Sequence, residues 1–171
     1  GYISYFINRY DDLDGAFKIE ISNLFAFFIE KLEIRAKEIR NYKNSIIKSF
    51  IKNRIYLGLA HGIAGVIVTL SHLSKIAYYK ESSISLIHEL SVFLLQHKVS
   101  SEYKPTLFPS WLNSNTDLGK TSSTLSWCTG DLGIGISLLN TSQNIEDKYL
   151  ENEAIKILKN SAKRLTKEQS L

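Results

Sequence analysis

Apolar residues recur at intervals of three and four along most of the chain, and this spacing restricts its fold more than any other feature. Charged residues occupy the opposite faces, as expected for helices that lie on a core. Only two prolines interrupt the 171 residues. The pattern predicts an all-α fold, with amphipathic helices over residues 17–40, 83–97 and 146–165.

Two further predicted helices, residues 63–78 and 132–139, are apolar around most of their circumference, so we expect each to be packed on several sides. Each follows a glycine-rich turn, one at residues 58–65 and the other at residues 130–135, and residues 1–6 resemble the end of an earlier copy. We therefore predict repeated helical hairpins, each with an inner helix introduced by glycines and an outer amphipathic helix. The glycines either bring helix starts together around a cavity or only permit tight packing.

The two glycine-rich turns contain the candidate catalytic and metal-binding side chains. Cys128 comes just before the second buried helix, where backbone amides stabilise a thiolate, the form that binds zinc. His61 occupies the matching place in the first turn. By the repeat, both should point into one cavity. Taken singly, Cys128 could be an inert buried cysteine and His61 a structural hydrogen-bonding residue.

Composition excludes several classes of function. A single cysteine rules out an internal disulfide framework and suits a reducing cytoplasm. No apolar run reaches the roughly 20 residues that cross a bilayer. The net charge of +4 is scattered, and the densest basic stretch, residues 43–54, lacks the interleaved aromatic residues of a nucleic-acid site. We interpret that stretch as a solvated linker.

The remaining histidines and the longest irregular segment receive structural interpretations. We expect packing roles for His72 and His88, and a helix C-terminal position for His97, where positive charge is favourable. Residues 99–126 contain both prolines and a run rich in Ser, Thr and Asn. We expect the repeated hairpins to be arranged in a ring, and we predict that this segment forms a loop or short helical turns over the rim of that ring.

Two linked motifs give the chain a family resemblance. Residues 126–134, Ser-Trp-Cys-Thr-Gly-Asp-Leu-Gly-Ile, resemble the Trp-Cys-Tyr-Gly-x-x-Gly motif of lanthionine synthetase C-like proteins. Residues 58–65, Gly-Leu-Ala-His-Gly-Ile-Ala-Gly, resemble the upstream Gly-x-x-His-Gly-x-x-Gly motif of the same family. Their order and separation also agree, and the resemblance extends over essentially the whole chain.

The resemblance implies an α/α toroid, of which residues 1–171 would be the middle portion of one domain that continues before residue 1 and after residue 171. It implies a zinc-dependent cyclase that adds cysteine thiolates to dehydroalanine or dehydrobutyrine and forms lanthionine thioether rings. Cys128 would be the first zinc ligand, and a Cys-His pair expected beyond residue 171 would complete the site. His61 would be catalytic, as the acceptor of the thiol proton or as the donor to the enolate.

The implied partners are a dehydrated precursor peptide, a dehydratase and an exporter, at a cytoplasmic location that includes the membrane periphery. Two departures from the family pattern favour an alternative, a non-catalytic toroid that binds a peptide or a partner protein. Thr129 stands where the family usually has tyrosine, and Thr124 where it has arginine. A third alternative, a glycoside-processing toroid, needs paired carboxylates, and Asp131 is the only obvious acid beside a motif.

Overall fold

The computed structural model describes residues 2–40, 54–99, 106–113 and 125–163. Within these ranges the chain is predominantly helical, with short 3-10 turns at Tyr10–Asp12 and Ala77–Tyr79. In chain order, the helices are α1 (Tyr2–Asn8), α2 (Gly15–Arg40), α3 (Ile63–Leu73), α4 (Lys80–Gln96), α5 (Asp131–Ile145) and α6 (Lys148–Ala162). Two short strands, β1 (Arg54–Tyr56) and β2 (Trp111–Asn113), form an antiparallel pair.

The packing of the helices follows the predicted division into inner and outer elements. Helix α3 packs against α4 and α5, and α5 packs against α6. The adjacent pair α3 and α5 is therefore flanked by α4 and α6, while α2 packs against α4 and α1 against α3. The fully buried side chains that join these layers are mostly leucine and isoleucine, among them Ile67, Leu70, Leu94, Ile134, Leu138 and Ile157.

The predicted helix over residues 63–78 is too long, because α3 ends at Leu73. The hydroxyl of Ser74 donates to the carbonyl of Ser71 at 2.8 Å, and such local side-chain bonds compete with helix continuation. Ile76 then adopts an extended conformation, with ψ of 115°, before the 3-10 turn. The chain therefore turns at residues 74–76 and enters α4 at Lys80.

The predicted helix over residues 132–139 is too short, because α5 continues to Ile145. The helix is terminated by the next residue, Glu146, which adopts a left-handed conformation with φ of 59°. Asp147 then caps α6, its Oδ1 accepting from the backbone N–H of Leu150 at 2.9 Å. This abrupt turn makes α5 and α6 a closely packed hairpin. The last predicted residues of the 146–165 helix lie outside the described residues.

The β1–β2 pair was not predicted. Its register places Arg54 opposite Asn113, Ile55 opposite Leu112 and Tyr56 opposite Trp111. β2 lies in the segment 99–126, for which we predicted a loop or helical turns, so that prediction is wrong at residues 111–113. Ile55 and Leu112 are buried, which anchors the pair to the core. The predicted basic linker is described only at Arg54, and its other residues lie outside the described ranges.

Tyr79 joins α2 to the start of α4. Its hydroxyl donates to the backbone carbonyl of Ser22 at 2.7 Å, and its ring packs edge-on against Phe25 with the centroids 5.8 Å apart. Burial raises the pKa of Tyr79 above its ordinary value. The phenol serves as a hydrogen-bond donor between the two helices. Among the described residues, no helix combines the length and apolarity that a membrane span requires.

Candidate functional site

The two glycine-rich turns lie directly against each other, and in the structure the second turn comprises residues 126–130, just before α5. The backbone N–H of Ala60 donates to the carbonyl of Cys128 at 3.1 Å. Gly58 is in such close contact with the second turn that a Cβ there would collide with the Cys128 carbonyl and lie 2.6 Å from Cα of Thr129. A side chain at residue 58 would therefore push the turns apart, which explains the glycine.

Each turn leads directly into an inner helix. Gly62 precedes α3 in an extended conformation, and its carbonyl accepts from the N–H of Val66 at 3.3 Å. Gly130 has the same role before α5, its carbonyl accepting from Ile134 at 3.2 Å. Because the turns touch, α3 and α5 begin side by side. The first N–H groups of both helices therefore lie at the same end of the molecule.

Hydroxyl groups close the second turn. Oγ of Ser126 accepts from the backbone N–H of Thr129 at 3.2 Å and lies 2.9 Å from Oγ1 of the same residue. The backbone N–H of Gly130 donates to the Ser126 carbonyl at 3.1 Å. Thr129, which stands where the resemblance leads us to expect tyrosine, thus helps to hold the turn that carries Cys128. Thr124, the other departure, lies outside the described residues.

Asp131 connects this turn to the segment that precedes β2. It is the first residue of α5 and is fully buried. Its Oδ2 accepts from the backbone N–H of Leu107 at 2.8 Å, and its Oδ1 from that of Phe108 at 3.1 Å. A carboxylate in the first turn of a helix is also favoured by the helix dipole. Asp131 is therefore a structural anchor, which removes the one acid that the glycoside-processing alternative had.

The anchoring role of Asp131 was not predicted from the sequence. Its partners are backbone amides more than 20 residues away, at positions 107 and 108, and no side-chain motif marks them. The available signal was a carboxylate at the first position of an otherwise apolar helix. A charge there needs hydrogen-bond donors, since burying an unpaired carboxylate is costly.

The Cys128 side chain is exposed, so the alternative of an inert buried cysteine is wrong. His61 is also exposed, and it lines an open cavity of about 880 Å³. Residues 54–56 of β1 and parts of α1, α2, α3 and α4 form the rest of the wall. Cys128 is not among the lining residues of this cavity. The prediction that both side chains point into one cavity is therefore wrong for this cavity: the two turns are in contact, but only His61 lies on its wall.

The other histidines have partners on helices, as expected for structural roles. Nε2 of His72 lies 3.3 Å from Oδ1 of Asn140, which links α3 to α5. Nδ1 of His88 lies 3.7 Å from Oδ2 of Asp147. Nδ1 of His97 lies 2.8 Å from the Phe93 carbonyl, at the predicted helix C-terminus. His88, however, is exposed and does not occupy a packed position.

The zinc ion that the resemblance implies needs donor side chains that lie close together. Within the described ranges, no three His, Cys, Asp or Glu side chains form a group that could hold a metal ion. The exposed sulfur of Cys128 is available to a metal as a single ligand. The described residues therefore fit the resemblance, which takes one ligand from this chain segment and places the others beyond residue 171.

Comparisons with known proteins agree with this arrangement. The whole chain, residues 1–171, matches the family model described as lanthionine synthetase C-like protein. The nisin biosynthesis protein NisC of Lactococcus lactis subsp. lactis is 25% identical over 173 residues, which cover 96% of this chain and 41% of NisC. A solved structure of nisin cyclase superposes with a TM-score of 0.64 at 22% identity, covering 95% of this chain and 42% of that one. The chain thus spans less than half the length of these relatives. The prediction of an all-α fragment of an α/α toroid is confirmed.

Proposed function

Because this chain belongs to the lanthionine synthetase C-like family, we propose that its parent protein is a peptide cyclase that forms lanthionine thioether rings. One observation carries the proposal beyond family membership. The turn of Cys128 is hydrogen-bonded to the turn of His61, through Ala60, and both side chains are exposed. This places a thiol and an imidazole at the end of the molecule where α3 and α5 begin. The names of the relatives, a nisin biosynthesis protein and a nisin cyclase, support the same chemistry.

We propose Cys128 as a zinc ligand. The exposed sulfur supports this role, and the remaining ligands would be a Cys-His pair beyond residue 171. When bound, zinc supplies an open position at which a substrate thiol loses its proton at neutral pH and remains nucleophilic. Within this chain, the hydrogen bond from Ala60 and the turn closed by Ser126 and Thr129 fix the backbone that carries the ligand.

The proposed reaction adds a cysteine thiolate of the peptide to the β-carbon of dehydroalanine or dehydrobutyrine. The sulfur–carbon bond forms as the carbon–carbon double bond breaks, and the resulting enolate takes a proton at the α-carbon. We propose that His61 transfers a proton in this sequence, because an imidazole ring has one nitrogen that can accept a proton and one that can donate it. It would either accept the proton of the thiol or deliver one to the enolate. Its position on the cavity wall supports access to a bound peptide.

The whole-protein context follows from the same proposal. Residues 1–171 would form the middle portion of one toroid domain. The substrate would be a dehydrated precursor peptide, prepared by a dehydratase and passed on to an exporter. Cyclisation would take place in the cytoplasm or at the membrane periphery.

The alternative, a toroid that binds a peptide or partner protein without catalysis, has one observation in its favour. The hydroxyl of Thr129 is engaged with Ser126 in closing the turn. The family usually carries a tyrosine after the motif cysteine, and in this chain a threonine that helps to close the turn stands there instead. Cyclisation would then depend on Cys128 and His61 without that tyrosine, or would be lost.

Cys128→Ala in the full-length protein tests the proposal. We expect the rate of ring formation to fall by at least about 100-fold, because loss of a ligand should exceed the 10- to 100-fold effects seen for groups that only support ligands. The measurement is mass spectrometry of a dehydrated peptide after alkylation of its remaining thiols, together with zinc content. Ser82→Ala, at an exposed position on α4, is the control and should retain full activity.

Ring formation by Cys128→Ala at the parental rate would refute the metal-ligand role. A full-length protein that binds the dehydrated peptide but never consumes its thiols, with Cys128 intact, would establish the non-catalytic alternative.

A further inference from the structure

We propose that the cavity beside His61 binds a peptide segment that is mostly apolar but contains one acidic residue. In this proposal Arg54 binds the carboxylate of that acidic residue. The inference rests on the proposed function, because it takes a peptide as the substrate. It adds a recognition element, an acidic residue among apolar ones, that neither the family motifs nor the zinc chemistry specifies.

The walls of the cavity are mostly apolar. Phe28 and Leu32 come from α2, Val66 from α3 and Leu90 from α4. The volume of about 880 Å³ lies in the range of ligand-binding cavities and accommodates several side chains. Burial of aliphatic or aromatic peptide side chains against these walls would supply the hydrophobic part of the binding free energy.

The charged side chains on the wall are all basic or imidazole groups. Arg54 and His61 line the cavity, and neither Asp nor Glu is among the lining residues that the structure describes. An apolar cavity with a guanidinium group on its wall complements a ligand that is apolar and anionic. Among peptide side chains this description fits a carboxylate next to aliphatic or aromatic residues, because guanidinium groups form paired hydrogen bonds with carboxylates.

Arg54 has a defined position on this wall. Its Cζ lies 4.2 Å from the centroid of the Trp111 ring, so the guanidinium stacks on the indole face. The antiparallel pairing of β1 with β2 fixes both backbones. Stacking occupies the face of a guanidinium and leaves N–H groups at its edge to donate. Less side-chain entropy is then lost when a carboxylate binds, which increases affinity.

The position of Arg54 also orients the ligand toward the proposed chemistry. β1 ends at Tyr56, and the chain passes through Leu57 into the turn that carries His61 on the same cavity. A peptide carboxylate held at Arg54 would therefore place neighbouring peptide residues along the wall that includes His61. This makes Arg54 a specificity-determining residue, which selects peptides and takes no part in bond formation.

The test compares two fluorescein-labelled hexapeptides made of leucine and valine with one central glutamate or, in the second peptide, one glutamine. Fluorescence anisotropy measures their binding to the full-length protein. We expect the glutamate peptide to bind about 10-fold more tightly or better, the size of a charge-assisted hydrogen bond. Arg54→Gln should abolish that preference and leave the affinity for the glutamine peptide unchanged. Arg54→Lys, which keeps the charge but not the planar group, should retain only part of it.

Arg9→Gln is the matched control, because Arg9 is exposed and pairs with Asp12 outside the cavity lining. It should keep the full preference, and thermal melting should show that every variant is folded. Equal affinities for the two peptides, failure of both to bind, or an equal loss of preference in Arg9→Gln and Arg54→Gln would each overturn the proposal. The probes contain neither cysteine nor dehydrated residues, so a failure here is separate from a failure of ring formation.

Discussion

Gly133→Ala should destabilise the protein by about 3 kcal/mol or more. A Cβ at this position would collide with the carbonyl oxygen of Trp127 and lie 2.9 Å from the Trp127 carbonyl carbon. Both atoms belong to the backbone, so no change of rotamer relieves the contact. Alanine gains about 1 kcal/mol of helix propensity over glycine, which is too little to offset the collision. Urea denaturation followed by circular dichroism measures the difference in the free energy of unfolding.

Two other glycines provide controls, because an added Cβ would be less crowded at each of them. A Cβ at Gly135 would lie 2.8 Å from Cδ2 of Leu158 and 3.2 Å from Cγ2 of Ile157, which are side-chain and not backbone atoms. A Cβ at Gly15, at the start of α2, would have no atom within 4 Å. We therefore expect Gly135→Ala to cost less than Gly133→Ala, and Gly15→Ala to cost nothing measurable. If Gly133→Ala were as stable as Gly15→Ala, the close packing of the turn before α5 would be disproved.

Asp131→Ala should destabilise the protein by about 3 kcal/mol. The substitution removes the acceptors of the Leu107 and Phe108 N–H groups, and both of these residues are buried. Each donor would lose its partner where water does not readily replace it, and a buried donor without a partner costs about 1–3 kcal/mol. The favourable position of the carboxylate at the start of α5 would be lost as well. The same denaturation experiment measures this effect.

Asp131→Asn separates the two hydrogen bonds. Its amide retains one oxygen acceptor, but its NH2 group faces the second N–H as another donor, so we expect an intermediate loss of stability. Asp12→Ala is the control, because Asp12 is exposed and its ion pair with exposed Arg9 is worth less than about 1 kcal/mol. Equal stability of Asp131→Ala and Asp12→Ala would mean that the carboxylate does not anchor residues 107 and 108.

The helices and the family could be predicted from sequence because both signals are local. Amphipathic spacing gave α2, α4 and α6 to within a few residues of their observed bounds, since the apolar stripes face a core. The two glycine-rich segments identified the turns in front of α3 and α5. Their direct contact follows from the repeat, because equivalent turns in neighbouring hairpins begin at the same end of the fold.

The features that sequence analysis missed depend on distant pairing. β1 and β2 have three residues each, too short for an alternating pattern to be detected, and they pair across the intervening helices α3 and α4. The partners of Asp131 are likewise distant backbone amides. The end of α3 was misplaced because a serine hydroxyl, rather than glycine or proline, marks the stop. The stacking of Arg54 on Trp111, which defines the proposed anchor, follows from the unpredicted strand pair.

The central claim is that the turns of His61 and Cys128 are in contact, and Ala60→Cys tests it most directly. Ala60 and Cys128 are joined by a backbone hydrogen bond of 3.1 Å, both residues are exposed, and Cys128 is the only cysteine among residues 1–171. Their backbones should therefore be within reach of a disulfide. Ser82→Cys, which adds an exposed cysteine on α4, is the control.

The measurement is the number of free thiols and the intact mass of the monomer after mild oxidation. We expect Ala60→Cys to lose the thiols at positions 60 and 128 within one chain, while Ser82→Cys keeps the thiols at positions 82 and 128 or forms only dimers. If Ala60→Cys instead behaved like Ser82→Cys, the two turns would not be neighbours, and the proposed site would be contradicted.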